Sequence, residues 1–439
     1  MLTSESKQPY LAAFKQIRAA GAVAGPAWLE QMRQAGLASF DGLGFPTLKN
    51  EDWKYTNVER LASQSYVPPN GEVQSVSGTG LLSRALVETD APRMVFVNGV
   101  YVAALSSTSD LPQGLRIGSL AEFIKRDDGA VAHELGRHAS AERQHFVALN
   151  TAFLGDGAVV TLVPGCRLAR PIYLLFVSTS IKQPVISHPR ILLLLGVGSE
   201  AKIVESYLGV SGKVYFCNAV TELVGGADSI VEHFRLQQES DNGFHVGTLE
   251  ANLARGCHLT AHAVTLSGGL VRNNVRVLLN GEGAECVLNG LYLGDGQQHI
   301  DNYTLIEHVS PKASSLELYK GLLGGSAHGV FNGKIIVHKD AQKSDARQTN
   351  KNLLLSDSAV IDTKPQLEIH ADDVKCSHGS TIGQLDDDAI FYLRSRGLDV
   401  AAARSLLSFA FASDVVRRLG IEHLRQRLDE YLVGRFGAW

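Results

Sequence analysis

Small-residue corners recur through the middle of this 439-residue chain at nearly constant spacing. They are Gly198-Ser199-Glu200-Ala201, Gly226-Ala227-Asp228-Ser229, Gly256-Cys257-His258 and Gly283-Ala284-Glu285-Cys286, and their glycines stand 28, 30 and 27 residues apart. A fixed period in this range marks stacked repeats, because each unit buries an apolar face only against its neighbours. Between the corners lie short Val-, Leu- and Ile-rich runs at 159–163, 172–177, 191–195, 202–207, 214–223, 229–236, 259–266, 275–279 and 286–293. No helical pattern interrupts the period, so the segment 158–385 reads as stacked β-coils, two coils per period, with the four glycines at equivalent corners. A β-sandwich of about ten strands is the alternative. The near-constant spacing favours the solenoid.

Composition narrows the function classes. Apolar content of 45% with 20% charged residues describes a globular chain. A net charge of −4 leaves no basic surplus for phosphate backbones, so nucleic acid is not an expected partner. The longest apolar run, 191–195, is far too short for a membrane span, and residues 1–7 show no secretory pattern. The five cysteines, Cys166, Cys217, Cys257, Cys286 and Cys376, form an odd set without CxxC spacing, which fits a reduced, cytoplasmic protein.

Residues 1–157 read as a mixed, largely helical region. Leu11, Phe14 and Ile17 make one apolar stripe, and Trp28, Met32 and Leu37 mark a second. Residues 42–46 break the pattern, Asn98-Gly99 fits a type I′ hairpin turn, and 142–154 is helical again. Within Glu51-Asp52-Trp53-Lys54-Tyr55-Thr56-Asn57 the simplest reading packs Trp53 on Tyr55. Residues 386–439 read as three helices: Asp386 caps the first, Gly397 ends it, and the second begins after Asp399. Such helices either seal the open end of a solenoid, the simpler role, or dock a partner.

The chemistry concentrates in Lys375-Cys376-Ser377-His378-Gly379-Ser380-Thr381-Ile382-Gly383. On a strand, Cys376 and His378 share a face and present a thiol and an imidazole side by side, donors suited to iron or zinc. The plainer reading places Cys376 inside the last coil and His378 at a polar corner. The other histidines include His258 and His262 on one face, and His299, His308, His328 and His338 in successive coils. Ordinary surface imidazoles explain them. Cys217, Cys257 and Cys286 read as small core residues. Gly329-Val330-Phe331-Asn332-Gly333-Lys334-Ile335 imitates a phosphate loop but has one residue too few between its glycines, and Ile335 where a Ser or Thr is needed. Lys334 therefore reads as an outward residue at a solenoid corner, and the chain is not expected to bind ATP itself.

The run from Cys376 through Phe391-Tyr392-Leu393-Arg394-Ser395-Arg396-Gly397 resembles the C-terminal signature of the SufB/SufD family of iron–sulfur cluster assembly proteins, in its SufD form. Gly329 to Lys334, Ala341 to Ala346, Gln348 to Leu355 and the WKYT element at Trp53 are similar to further family blocks. The resemblance implies a mainly β fold: a right-handed parallel β-helix core flanked by an N-terminal α/β region and a C-terminal helical domain. It also implies a heterodimer with a SufB-like paralogue and an ABC ATPase of the SufC type on the C-terminal helices, for which Phe391, Tyr392, Leu406 and Phe411 are the docking candidates. His378, with Cys376 beside it, would lie at the paralogue interface where the nascent cluster forms. SufB carries a cysteine where this chain has Ile369, so the chain lacks the thiolate of a primary scaffold. Glu368 and Asp387 lie close in sequence and could assist iron; a solvated face and a helix cap explain them equally well. No stably bound cofactor is implied. Iron or a cluster would be held transiently with the partner, and the family complex is associated with a reduced flavin for which no fingerprint is visible here. An isolated chain could form a homodimer. The rival readings are a metal-free β-solenoid that only binds proteins, and a β-helix carbohydrate-active enzyme using Asp295, Asp301 and Glu307.

Overall fold

The computed structural model describes residues 4–19, 25–68, 84–88, 90–109, 111–179 and 183–437. The side chain of Ile17 and residues 438–439 lie outside that set. Its strands are β1 (Arg93–Val97), β2 (Val100–Tyr101), β3 (Leu115–Ser119), β4 (Gly157–Leu162), β5 (Ile172–Ser178), β6 (Val185–Ser187), β7 (Arg190–Leu195), β8 (Glu200–Gly209), β9 (Tyr215–Gly225), β10 (Ile230–Gln238), β11 (Phe244–Leu253), β12 (His258–Ser267), β13 (Leu270–Leu279), β14 (Glu285–Gly294), β15 (His299–His308), β16 (Ser314–Leu323), β17 (His328–Val337), β18 (Asp345–Leu354), β19 (Val360–Ile369) and β20 (Lys375–Gly383). From β7 onward, consecutive strands alternate between two sheets. Sheet I runs β2-β1-β5-β8-β10-β12-β14-β16-β18-β20, and sheet II runs β19-β17-β15-β13-β11-β9-β7-β4-β3, with β6 also on β9. From β5 onward in sheet I and β4 onward in sheet II, pairing is parallel, and from β7 each strand meets the one two positions on, the topology of a parallel β-solenoid.

Each sequence period is one coil of two strands, not two coils. The strands are longer than the apolar runs show: most of those from β10 to β19 span 10 residues, so two strands and two corners consume the period. β1 and β3 also belong to the sheets, the first parallel to β5 and the second antiparallel to β4. The solenoid thus draws strands from the first 157 residues as well. The Asn98-Gly99 turn joins β1 to β2, and both residues take positive φ, 51° and 82°, as a type I′ turn demands.

One corner row explains most of the glycine period. Gly165, Gly198, Asp228, Gly256, Gly283, Lys312 and Lys343 all have left-handed backbones, with φ between 56° and 74°. Each of their N–H groups donates to a carbonyl one coil on, from Gly198 to Ala227 through to Lys343 to Asp373. Gly226 does not belong to this row. It stands two residues earlier beside Gly196, Ala254 and Gly281, where a Cβ at Gly226 would meet the Leu195 carbonyl oxygen at 2.5 Å. In that coil Asp228 supplies the left-handed residue.

The space between the sheets is the main core, filled by inward residues such as Ile203, Leu223, Leu259, Val277, Leu288, Ile306 and Ile335. The outer faces are covered separately. Over sheet II lie α1 (Gln8–Ala19), α2 (Ala27–Leu43), α3 (Glu59–Ala62), α4 (Leu120–Lys125), α5 (Gly129–Glu134) and α6 (His145–Ala152). Their side chains pack on outward Leu192, Phe216, Phe244, Val246 and Leu270. Trp53 packs on Phe146 and stacks on the Arg272 guanidinium, 4.1 Å from its ring centre, while Tyr55 takes Lys54. Thr56 bonds His299 Nε2 at 2.9 Å and also donates to Asp301. The WKYT element is therefore a strap across sheet II.

At the other terminus come α7 (Asp387–Ser395), α8 (Val400–Val416) and α9 (Glu422–Phe436), with Asp386 and Asp399 capping α7 and α8 as read. α8 and α9 do not seal the solenoid end. They lie on the outer face of sheet I, where Val415, Leu424, Leu428 and Leu432 bury against Phe234, Val264, Leu291 and Leu318. Each buried leucine there contributes about 1.5–3 kcal/mol. Sealing failed as a reading because the outer face of sheet I is itself apolar and must be covered first.

The left-handed corner row is directly testable. Nothing lies within 4 Å of a Cβ added to Gly283, so Gly283→Ala should lower the unfolding free energy by about 1–2 kcal/mol through backbone strain alone. Lys312→Gly, at the same corner one coil on, should be neutral or stabilising. Urea unfolding midpoints of the two variants check this, and a similar loss in both would show that the corner conformation is not what the glycine provides.

Candidate functional site at the open end of the solenoid

The solenoid ends on β19 and β20, whose outer edges pair with no strand among the described residues. Strand alternation fixes what this end presents. Cys376 stands in register with Ala346 and His378 with Gln348, both buried inward residues. Cys376 and His378 therefore share the inner face, as read from their spacing, at the mouth of the lumen. Cys376 packs against the interior cluster and is half-buried; burial and the nearby Asp345 push its thiol pKa up. His378 is exposed. Across the mouth, β19 presents Ile361, Thr363, Pro365, Leu367 and Ile369, with Thr363 donating to Asn350 Oδ1 at 2.9 Å. Ile369 and Ile382 are left 43% and 50% exposed, apolar inward residues with no coil beyond them.

The mouth holds two soft donors and no third. Among the described residues no three His, Cys, Asp or Glu side chains converge to hold a metal ion. Glu368 faces outward in an ion pair with Lys334 at 2.7 Å, and Asp387 lies in the first turn of α7. Neither joins Cys376 and His378. The run from Gly329 to Ile335 is part of strand β17, which rules out a phosphate loop there; Lys334 sits mid-strand, not at a corner.

Of the four docking candidates, three are exposed. Phe391 (71%), Tyr392 (57%) and Leu406 stand on α7 and the start of α8, with Val400 beside them, and no residue of α7 is buried. Phe411 is different. It packs against the sheet I face, with Lys320 Nζ 4.4 Å above its ring.

The other histidines correct the surface reading. His233, His245, His262 and His308 are buried, and several meet carboxylates: His233 with Glu205 at 2.9 Å, His245 with Glu239 at 2.7 Å, His262 with Glu232 at 3.1 Å. His299 and His328 do stack on successive coils, 4.7 Å apart. Cys217, Cys257 and Cys286 are buried core residues, and all five cysteines are free. The three carboxylates of the enzyme reading are already engaged. Asp295 accepts from the Gly296 N–H, Asp301 pairs with buried Arg272, and Glu307 pairs with Arg276 and His338. None faces another across a cleft.

Comparison with known proteins agrees with the geometry. Residues 176–411 match the model of the SUF system FeS cluster assembly SufBD core domain, and residues 4–174 match the SufBD protein N-terminal region. The chain belongs to the SufB/SufD family, on its SufD branch. It is 33% identical to the iron–sulfur cluster assembly protein SufD of Escherichia coli over 387 residues, covering 88% of each chain. An iron–sulfur cluster assembly SufBD family protein of Synechocystis is 33% identical over 410 residues, 92% of this chain and 90% of the relative. SufD of Bacillus subtilis is 24% identical over 414 residues, 92% of this chain and 93% of the relative. Family membership extends over the N-terminal segment, which resembles the family only weakly when read residue by residue. No helix among the described residues is long and apolar enough to cross a membrane.

Sequence reasoning found the two donors but missed the open strand edges around them. Solvent access at the mouth sets a clear expectation for labelling. In native protein, iodoacetamide should modify Cys376 before the four buried cysteines. Because that thiol's pKa is raised, its rate at pH 7 should fall below that of a free cysteine and keep climbing with pH after a free cysteine has levelled off. Mass spectrometry of labelled peptides checks both points, and fast labelling at neutral pH would mean a thiolate the structure does not support.

Proposed function

We propose that the chain is a scaffold subunit of a SUF-type iron–sulfur cluster assembly complex, pairing through its open end with a SufB-like solenoid. The observation that carries this reading is the mouth itself: two unpaired parallel strand edges flank a thiol and an imidazole too few to hold a cluster alone. An exposed edge is a template for another strand. β20 carries no proline, whereas Pro365 sits in β19, tolerated because that strand is also an edge. A partner coil stacked there would cover Ile369 and Ile382 and supply the missing ligands. His378, exposed at the mouth, would then bind iron or the nascent cluster as cargo through a ring nitrogen. Without that partner the same edge is free to meet a second copy of the chain.

The second contact in this reading is an ABC-type ATPase of the SufC kind on α7 and the start of α8. A helix with no buried residue and two exposed aromatics has an apolar face still to be covered. The chain has no phosphate loop, so ATP hydrolysis belongs to that partner, and α8 transmits its movement because it is packed on sheet I. In this reading the chain delivers iron and shapes the interface, and is not itself an enzyme. Sequence relatives named as cluster assembly proteins support it. The alternative, a solenoid that binds proteins and no metal, draws on the raised Cys376 pKa and the missing third ligand.

Two experiments decide between them. His378→Ala should leave the complex intact by gel filtration but lower cluster assembly at least tenfold in a complemented deletion strain under iron limitation. Full complementation would favour the metal-free scaffold, and loss of the complex would make His378 an interface residue only. For the ATPase, deleting the helical tail would strip the apolar face of sheet I, so point changes are the better probe. Phe391→Asp with Tyr392→Asp should abolish ATPase pull-down while the melting temperature stays within a few degrees of wild type. Phe411→Ala should instead destabilise the fold.

A further inference from the structure

The lumen is divided lengthwise. One flank is apolar, but the other carries polar inward residues in coil after coil, all in the space between the sheets. Near the closed side Glu205 accepts from Tyr207 Oη (2.9 Å) and Thr221 Oγ1 (2.7 Å) and meets His233 and Arg235. Next, Gln237 Oε1 accepts from Thr265 and Asn273, and Asn273 reaches Asn302. Then Gln348 Nε2 donates to Glu317 Oε2 at 2.7 Å. Nearest the mouth, Asn350 and Asn352 bond each other at 2.6 Å, and Thr363 donates to Asn350. Gly333 makes room for this lane, because a Cβ there would lie 2.4 Å from Gln348 Nε2.

Between these bonded groups, enclosed polar atoms have no protein partner: Gln237 Nε2, Asn273 Oδ1, Asn302 Nδ2, Glu317 Oε1 and Gln348 Oε1. Such atoms are costly unless water bridges them, and those of Glu317 and Gln348, adjacent in register, suit bridging water. Glu317 is the odd member. It is fully buried, yet no cation pairs with it. The titratable groups facing it are Cys286 from β14 and Tyr319 from its own strand, both uncharged at neutral pH because burial raises their pKa values far above it. Gln348 from β18 contributes only its hydrogen bond, and the neighbouring Thr304 from β15 is an uncharged hydroxyl. In register, Glu317 lies beside Gln348, and Gln348 beside His378.

We propose that the outer stretch of this polar flank, from His378 at the open end through Gln348 to Glu317, is a proton path into the lumen, and that Glu317 is its store. The carboxylic acid releases its proton from one oxygen, the proton passes along the path to solvent at the mouth, and the carboxylate left behind keeps its bond from Gln348. No oxidant or reductant is involved. Lack of a neighbouring cation makes the charged form expensive, and burial accordingly raises the Glu317 pKa to about 7, where a store can load and unload. The use of that proton rests on the reading of the mouth as the place of cluster chemistry.

Infrared difference spectroscopy of the full-length chain tests the store without any cluster. A protonated carboxyl band missing from Glu317→Gln should titrate with a midpoint of about 7 and shift on transfer to D2O far faster than the β14–β16 amides exchange. Glu250, also raised to about 7, is told apart because its band survives in that variant. Gln348→Leu removes a bond that favours the charged form and should move the midpoint to higher pH, which keeps the test open if Glu317→Gln does not fold. Absence of the band between about pH 5 and 9, or exchange as slow as the amides, would overturn the proposal. These outcomes do not depend on cluster assembly: a His378→Ala chain that builds no cluster but keeps the titrating band sustains the store, while one that builds clusters normally refutes only the site reading.

Discussion

Backbone pairing from one coil to the next is the interaction on which the rest of this structure depends. Every long strand satisfies its N–H and C=O groups on the strands before and after it in the stack, so a coil in the middle leaves nothing open. The cost falls on the two ends. At the first end the chain supplies its own closure, because β2 and β3 run antiparallel to β1 and β4 and stop the parallel ladder. At the last end it supplies none. Three helices, α7 to α9, follow β20 in sequence, yet α8 and α9 turn back onto the face of sheet I. A chain with helices at hand that leaves an edge bare there has that edge available for another subunit. The donors of the mouth sit on that same edge.

The lumen shows how size and polarity are reconciled in so narrow a space. Large inward residues face glycines: a Cβ at Gly290 would lie 2.0 Å from the Tyr319 ring, and one at Gly321 would lie 2.4 Å from Tyr292. Part of the glycine content therefore serves the interior and not the corners. The same economy admits the polar lane. Asn and Gln side chains of successive coils stack within reach of one another, so a buried amide finds its partner in the next coil. Glu317 breaks that pattern by bringing an acid without a base, which is why it stands apart from Glu205, whose charge is held by His233 and Arg235 and whose pKa is lowered.

Much of the fold could be read from residues, and the failures have physical causes. The period was visible because glycine occupies the left-handed corner in four of the coils. It faded where Asp228, Lys312 and Lys343 take the same conformation, since nothing in an aspartate or lysine announces positive φ. Strands up to β14 showed through their apolar runs or the Asn98-Gly99 hairpin, apart from β3, β6 and β11. β15 to β19 showed less because Asn302, Thr304, Glu317, Gln348 and Asn350 hold inward positions and erase the apolar–polar alternation. Two of the buried histidines were hidden for a related reason: His233 and His262 are tolerated by carboxylates from another coil, Glu205 and Glu232, and that pairing is invisible until the coils are stacked. The C-terminal helices were read correctly as helices but not as a cover. Their apolar stripes state that a face will be buried and do not state against what.

Cys376 and His378 were legible because two residues of spacing on a strand fix a common face whatever the fold around them. What they face was not. β19 and β20 lie in opposite sheets, joined by the corner that follows Ile369, so Ile369 and His378 line one opening from two sides. An isoleucine there gives the mouth an apolar wall where a third donor would otherwise stand. That wall cannot bind a metal, but it can be covered by a partner and exclude water around whatever the partner brings. On the proposed function the mouth is half of a site: one exposed imidazole, one thiol whose pKa burial raises, and an apolar rim whose strand edges pair with no strand among the described residues.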